Sequence, residues 1–95
     1  MINLTYLVDL SDVDAALIDH GAWLNRQYEE GVFIVSGRQV PRVGGVILAA
    51  GLSREDLQRR LAEDPFHQRG IATYTVTEFV ASRVRKGSED LLEQA

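Results

Sequence analysis

The segment Glu63–Gly70, EDPFHQRG, joins a helix to a strand, and its reading decides the fold. On its N-terminal side, SRED at Ser53–Asp56 is a helix-capping signal, and Leu57, Leu61 and Ala62 give a short amphipathic helix. On its C-terminal side, Gly70 leads into IATYTVTEFVA, residues 71–81, which alternates as a strand does. Ile71, Thr73, Thr75, Thr77 and Phe79 share one face, and Ala72, Tyr74, Val76, Glu78 and Val80 the other. Pro65 pushes Asp64 out of the helical region. A plain connection would need only a glycine or an asparagine. Asp64-Pro65-Phe66 therefore raises a question: is Asp64 a helix stop, or does it face a partner?

The rest of the chain places this helix–strand unit. Ile2, Leu4, Tyr6 and Val8 alternate with Asn3, Thr5 and Leu7, so the chain starts with a strand. Ser11 reads as a helix cap. Val13, Leu17, His20, Leu24 and Tyr28 then recur on one helical face, and Gly31 closes the helix. VFIVSGR is a β-branched and aromatic run, QVPRV breaks it at Pro41, and GGVILAA resumes as a strand, although Gly44-Gly45 by itself reads as turn chemistry. The final GSEDLLEQA, residues 87–95, has the pattern for one or two helical turns. The order is β-α-β-β-α-β, the split βαβ or ferredoxin-like arrangement of α+β class: an antiparallel sheet with two helices on one face. The uncovered face is partly apolar, which predicts a homodimer with sheets packed face to face.

Composition narrows the function. Ninety-five residues suit one domain, 1–95. Without cysteine there is no disulfide, thiolate metal site or cysteine nucleophile. A net charge of −4 argues against a nucleic-acid surface, and the basic SRVRK at Ser82–Lys86 reads as a solvated strand end. No run approaches the ~20 apolar residues of a membrane span. The N-terminus lacks a basic n-region, so a cytoplasmic location is expected. The chain has no glycine-rich phosphate loop, no G-x-S-x-G elbow and no zinc spacing. His20, His67 and Asp64 are too few to make a metal site by themselves, so neither metal nor cofactor is expected.

His20 interrupts an apolar stripe. Such a histidine serves either as a hydrogen-bonded packing residue or as an acid–base group. Asp64 is either a turn residue or its partner. In a ferredoxin-like fold, the middle of the first helix and the end of the second come close. A carboxylate there fixes the imidazole tautomer and supports proton transfer. Ser36 and Gly37 lie at a strand end where a ligand could approach. Trp23 and Phe66 could wall an apolar pocket. Arg38, Arg42 and Arg69 are candidates to meet an anion, with nothing in the sequence to choose among them.

His20, Ser36-Gly37, GGVILAA and above all AEDPFHQRGI at Ala62–Ile71 together resemble the YCII-related proteins, over nearly the whole chain. The resemblance implies a dimeric α/β barrel and an active site built on a His–Asp pair, here His20 and Asp64. That family is similar in fold to muconolactone isomerases, and one branch contains dehydrochlorinases of chlorinated hydroxyhydroquinones. This chain differs in two places: Gly21 follows His20 where leucine is usual, and Pro41 comes later than the family's glycine-proline. Three readings follow. One is a small cofactor-free isomerase or lyase acting on a cyclic or aromatic small molecule. Another is a non-catalytic dimeric module that binds a small ligand or a protein partner. The third, ranked behind these, is a cofactor-free monooxygenase of the same fold.

Overall fold

The computed structural model describes residues 1–92. The elements run β1 (Ile2–Tyr6), α1 (Leu10–Ala15), α2 (Leu17–Glu29), β2 (Phe33–Arg38), β3 (Gly44–Ala49), α3 (Arg54–Ala62), α4 (Pro65–Gln68) and β4 (Ala72–Val76). A 3₁₀ turn follows at Glu89–Leu91, which accounts for part of the expected C-terminal helix; residues 93–95 of that expectation lie outside the described residues. The four strands form one antiparallel sheet in the order β2-β3-β1-β4, an α+β arrangement consistent with the ferredoxin-like order.

Alternation divides the sheet as expected. Ile2 and Leu4 of β1, Ile47 of β3, Phe33 of β2 and Ala72 of β4 are buried with Val13, Ala16, Trp23, Leu57, Leu61 and Phe66 from the helical segments. The opposite face carries Asn3, Thr5, Val35, Val46, Leu48, Thr73 and Thr75, by register with one another, and Val35 is 56% exposed.

The helix ends follow local chemistry. Ser53 accepts a bond from the Asp56 N–H and caps α3. After α2, Gly31 at φ +74° donates to Tyr28 O and Val32 donates to Gln27 O. The EDPFHQRG segment repeats the device: Gly70 at φ +67° donates to His67 O, and Ile71 donates to Phe66 O. Both are Schellman endings, which need a residue at positive φ. Asp64 thus does more than stop a helix. It sits at φ −64°, ψ 127°, with Pro65 at the first position of the new helix α4.

Several expectations are corrected. The first helix is two: Ala16, at φ −104°, ψ −1°, separates α1 from α2, and the cap position is Asp9, with Ser11 inside the first turn. The buried line runs Val13, Ala16, Trp23 and Gln27, with His20 partly buried on it, one position round from the expected stripe. Gly44 is in β3 opposite Thr5, not in a turn. A Cβ there would lie 1.7 Å from Leu4 O, so only glycine admits this close strand pairing. β4 ends at Val76, because its partner β1 has run out. Val76 faces Ile2, and the last two bonds join Thr77 to Met1: the Thr77 N–H donates to Met1 O and the Met1 amino group to Thr77 O. Alternation to residue 81 outlasts the neighbour that a ladder requires.

Candidate functional site

His20 and Asp64 meet. The middle of α2 brings the imidazole over the start of α4, and His20 Nδ1 lies 2.7 Å from Asp64 Oδ1. Asp64 is fully buried, and the His20 side chain is 11% exposed. Two further donors reach the same carboxylate: the Phe66 N–H to Oδ1 at 3.0 Å, and the Tyr74 hydroxyl to Oδ2 at 2.5 Å. Both oxygens are thereby occupied as acceptors, and His20 Nδ1 takes the donor role. The tautomer follows from this network: the proton is on Nδ1 and the lone pair on Nε2. Nε2 has no hydrogen-bond partner among the described residues, and no buried side-chain nitrogen or oxygen there lacks one. It is therefore open to solvent.

The ring is also fixed in its plane. Phe66 stacks on it with centroids 3.9 Å apart and planes within 1°, and the Tyr6 ring meets Phe66 edge-on at 6.1 Å. Asp64 itself is held by its place as the cap of α4. Burial, then the hydrogen bond to Asp64 and that residue's charge, push the Tyr74 hydroxyl above the usual tyrosine range. Tyr74 is thus a donor to Asp64 throughout the physiological range.

His20 lines a pocket of about 450 Å³, a volume suited to a small molecule. Leu17 and Leu24 border it on α2; these are two members of the stripe read from the sequence, so that stripe marks the pocket edge while its neighbour enters the core. Phe66, Ser36 and Gly37 line the pocket as well. Ser36 Oγ is 2.6 Å from the Tyr28 hydroxyl. Trp23 does not line it. Its indole is fully buried, 5.6 Å from the His20 ring by centroids, and donates to Arg60 O at 3.0 Å. His67 is exposed and packs edge-on against Tyr74 at 5.8 Å. No three histidine, aspartate or glutamate side chains converge as metal ligands among the described residues.

A larger cavity, about 510 Å³, lies at the opposite end of the sheet, between the ends of β1 and β3, the start of α3 and the segment after β4. It has no histidine, and its Arg54 and Glu78 stand 3.9 Å apart. Of the two, the smaller pocket is the one that His20 lines.

The YCII-related domain matches residues 4–80. The chain belongs to that family. No curated protein and no solved structure matches it. The YCII-related match spans β1 through the residues after β4 and includes every side chain of the His20–Asp64–Tyr74 network. Tyr74 was not singled out in the sequence. The available signal was its inward register in β4, since a buried tyrosine hydroxyl generally needs a polar partner. No described helix is long and apolar enough to cross a membrane.

Proposed function

We propose that this YCII-related protein is a small cofactor-free enzyme in which His20 moves a proton to or from a cyclic or aromatic substrate. The observation that carries the proposal is the open Nε2 of a ring whose Nδ1 is bound to a buried carboxylate. Nε2 acts as the base. When it takes the proton, the Asp64 carboxylate stabilises the imidazolium, and Phe66 keeps the ring from turning away. Leu17, Leu24 and Phe66 supply the apolar wall, while Ser36 and the Gly37 backbone border the other side. A base placed in this way contributes ~10²–10⁴-fold in rate. The chemistry is isomerisation or elimination through an enol or enolate.

A second reading keeps the pocket and drops the catalysis. Asp64 caps α4, anchors Tyr74 and ties α2 to α4, which are structural tasks enough to account for its burial. Deuterium exchange into a panel of small cyclic carbon acids, followed by NMR in D₂O, separates the two. The enzyme reading expects exchange that His20→Gln abolishes while the circular dichroism spectrum is retained. Exchange that is unaffected by His20→Gln, or a variant that unfolds while Gln27→Ala does not, favours the structural reading.

The open sheet face completes the proposal. Val35, Val46 and Leu48 lie on it among threonines, and a second copy of the chain covers it in a homodimer of the barrel type that the family resemblance implies. Sedimentation of the native protein and of Val35→Lys tests this: the native protein should be dimeric and the variant monomeric.

A further inference from the structure

We propose that the His20 pocket takes a ring compound bearing a carboxylate or another anionic oxygen, gripped by Arg38 and Arg42. The proposal rests on the proton-transfer reading for what happens next, but not for the binding itself.

The pocket wall has a sign of charge that the chain as a whole does not. Acidic residues outnumber basic ones by 14 to 10, yet the pocket lining includes Arg38 and Arg42 and no aspartate or glutamate. Asp64, the nearest carboxylate to His20, lies buried behind the ring. A guanidinium paired only with protein carboxylates would need no ligand, so the partners matter. Arg69 is occupied by Asp19 at 2.5 Å and is not in the wall, and Arg60 is occupied by Gln27 and Glu30. Arg42 bonds Asp14 at 2.6 Å, and Asp14 lies outside the wall. The Tyr6 hydroxyl also lies against this guanidinium, which has five N–H donors and so keeps others to offer. Arg38, the last residue of β2, is exposed and has no carboxylate partner among the described residues. Of the three arginines that the sequence left equivalent, the structure therefore selects two, one of them unengaged.

The placement also suits the chemistry. When Nε2 removes a proton from carbon, the C–H bond breaks, the N–H bond forms and the electron pair moves onto an enolate oxygen. The charge left on the imidazolium is met by Asp64. The negative charge on the substrate side is met by the guanidinium groups on the pocket wall, of which Arg42 is held by Asp14. Planar guanidinium forks match planar oxyanions, which favours a carboxylate over a neutral carbonyl.

The test is an NMR titration of the ¹⁵N-labelled protein with benzoate and, separately, with the neutral isostere benzamide. Benzoate should shift the backbone signals of Ser36, Gly37 and Gly45, and bind about ten-fold or more tightly than benzamide. Arg38→Gln, which has no internal partner to lose, should weaken benzoate about ten-fold and leave benzamide within about two-fold. Arg85→Gln, which removes the same charge outside the pocket, should change neither. Equal binding of the two probes, an Arg38→Gln that behaves as Arg85→Gln does, or shifts confined to the cavity at the other end of the sheet would overturn the proposal. Its failure is distinct from failure of the dyad. Arginine-dependent benzoate binding that survives in His20→Gln upholds the anion site even if no carbon acid exchanges. Exchange of neutral carbon acids at full rate in Arg38→Gln removes the anion site and leaves the dyad standing.

Discussion

His20 and Gln27 stand two turns apart on the same face of α2, and each reaches across to the second helical unit. Gln27 is 2% exposed and accepts from Arg60 Nη1 at 2.7 Å; Arg60 also binds Glu30, and its carbonyl receives the Trp23 indole N–H. This tie is made through Gln27 Oε1, and neither of the two pockets described above is lined by Gln27, Arg60 or Trp23. His20 makes the equivalent reach to Asp64 with one nitrogen and keeps the other open to a 450 Å³ pocket. Both contacts hold α2 against the chain that follows β3. They differ in the capacity left over. A side chain that only ties two helices together stabilises the fold, whereas one that does so and also lines a cavity with a free ring nitrogen is placed to meet a ligand as well. On the proposed function, one end of the helix serves stability and the other also serves chemistry.

Asp64→Ala should strike hardest, because it removes the partner of three donors at once. The His20 Nδ1–H, the Tyr74 hydroxyl and the Phe66 N–H lose their acceptor, and α4 loses its cap. A loss of about 3 kcal/mol is expected, seen as a fall in Tm of more than about 12 °C. Asp64→Asn keeps an acceptor oxygen and the shape, so it should cost clearly less while still removing the charge that stabilises the imidazolium. If the two variants were equally unstable, the charge itself would hold the fold, and the contrast between the two ends of α2 would break.

Gln27→Ala comes next. It leaves the Arg60 guanidinium with Glu30 but opens a small buried space between α2 and α3. A loss of about 1–2 kcal/mol in urea denaturation is expected. The signals of Ser36, Gly37 and Gly45 should keep their native positions. Pocket signals that moved as far as in His20→Gln would mean that the two ends are one coupled unit.

Tyr74→Phe sharpens the comparison through pH. The hydroxyl loses about 1 kcal/mol of hydrogen bonding at neutral pH when it is removed. In the folded protein this group is held above its ordinary value of 10.0, so the folded state keeps a proton that the unfolded chain releases. The stabilisation it brings is therefore complete below pH 10 and is lost as the pH climbs beyond it. Urea midpoints measured from pH 8 to pH 11 should fall more steeply for the native protein than for Tyr74→Phe, and the gap between them should narrow above pH 10.

What could be read from the sequence was what local physics dictates. Ser53, Gly31 and Gly70 mark helix ends through their own conformational and bonding preferences, and the alternation of β1 sorts its faces correctly. The His20–Asp64 pair was legible because the fold order brings one helix middle to one helix end. What escaped depends on partners distant in the chain. Gly44 looks like a turn residue until the Leu4 carbonyl is seen where its Cβ would be. The alternation after Val76 carries no sign that β1 has ended. Trp23 and Phe66 are both aromatic residues beside the dyad. Only the structure shows that Phe66 faces the pocket while Trp23 is sealed under the ring with its indole bound to Arg60 O. The preference for Arg38 and Arg42 over Arg69 depends in the same way on which of them the fold brings to the pocket wall.

The smallest expected effect comes from Gly21, which follows His20 on the helix and is where this chain departs from the family's usual leucine. A Cβ added there meets nothing within 4 Å, and the residue does not line the pocket. Its glycine therefore serves neither a close approach nor a positive φ, and it weakens the middle of α2 by its backbone freedom alone. Gly21→Ala should stabilise the protein by about 0.5–1 kcal/mol. Because the helix carries both His20 and Gln27, the gain should reach both ends equally, with the ligand affinity of the pocket and the exchange rate unchanged. A Gly21→Ala protein that is more stable but slower would show that the motion of α2 beside His20 belongs to the reaction. The two ends of the helix would then differ in mobility as well as in bonding, with the loose turn placed directly after the base.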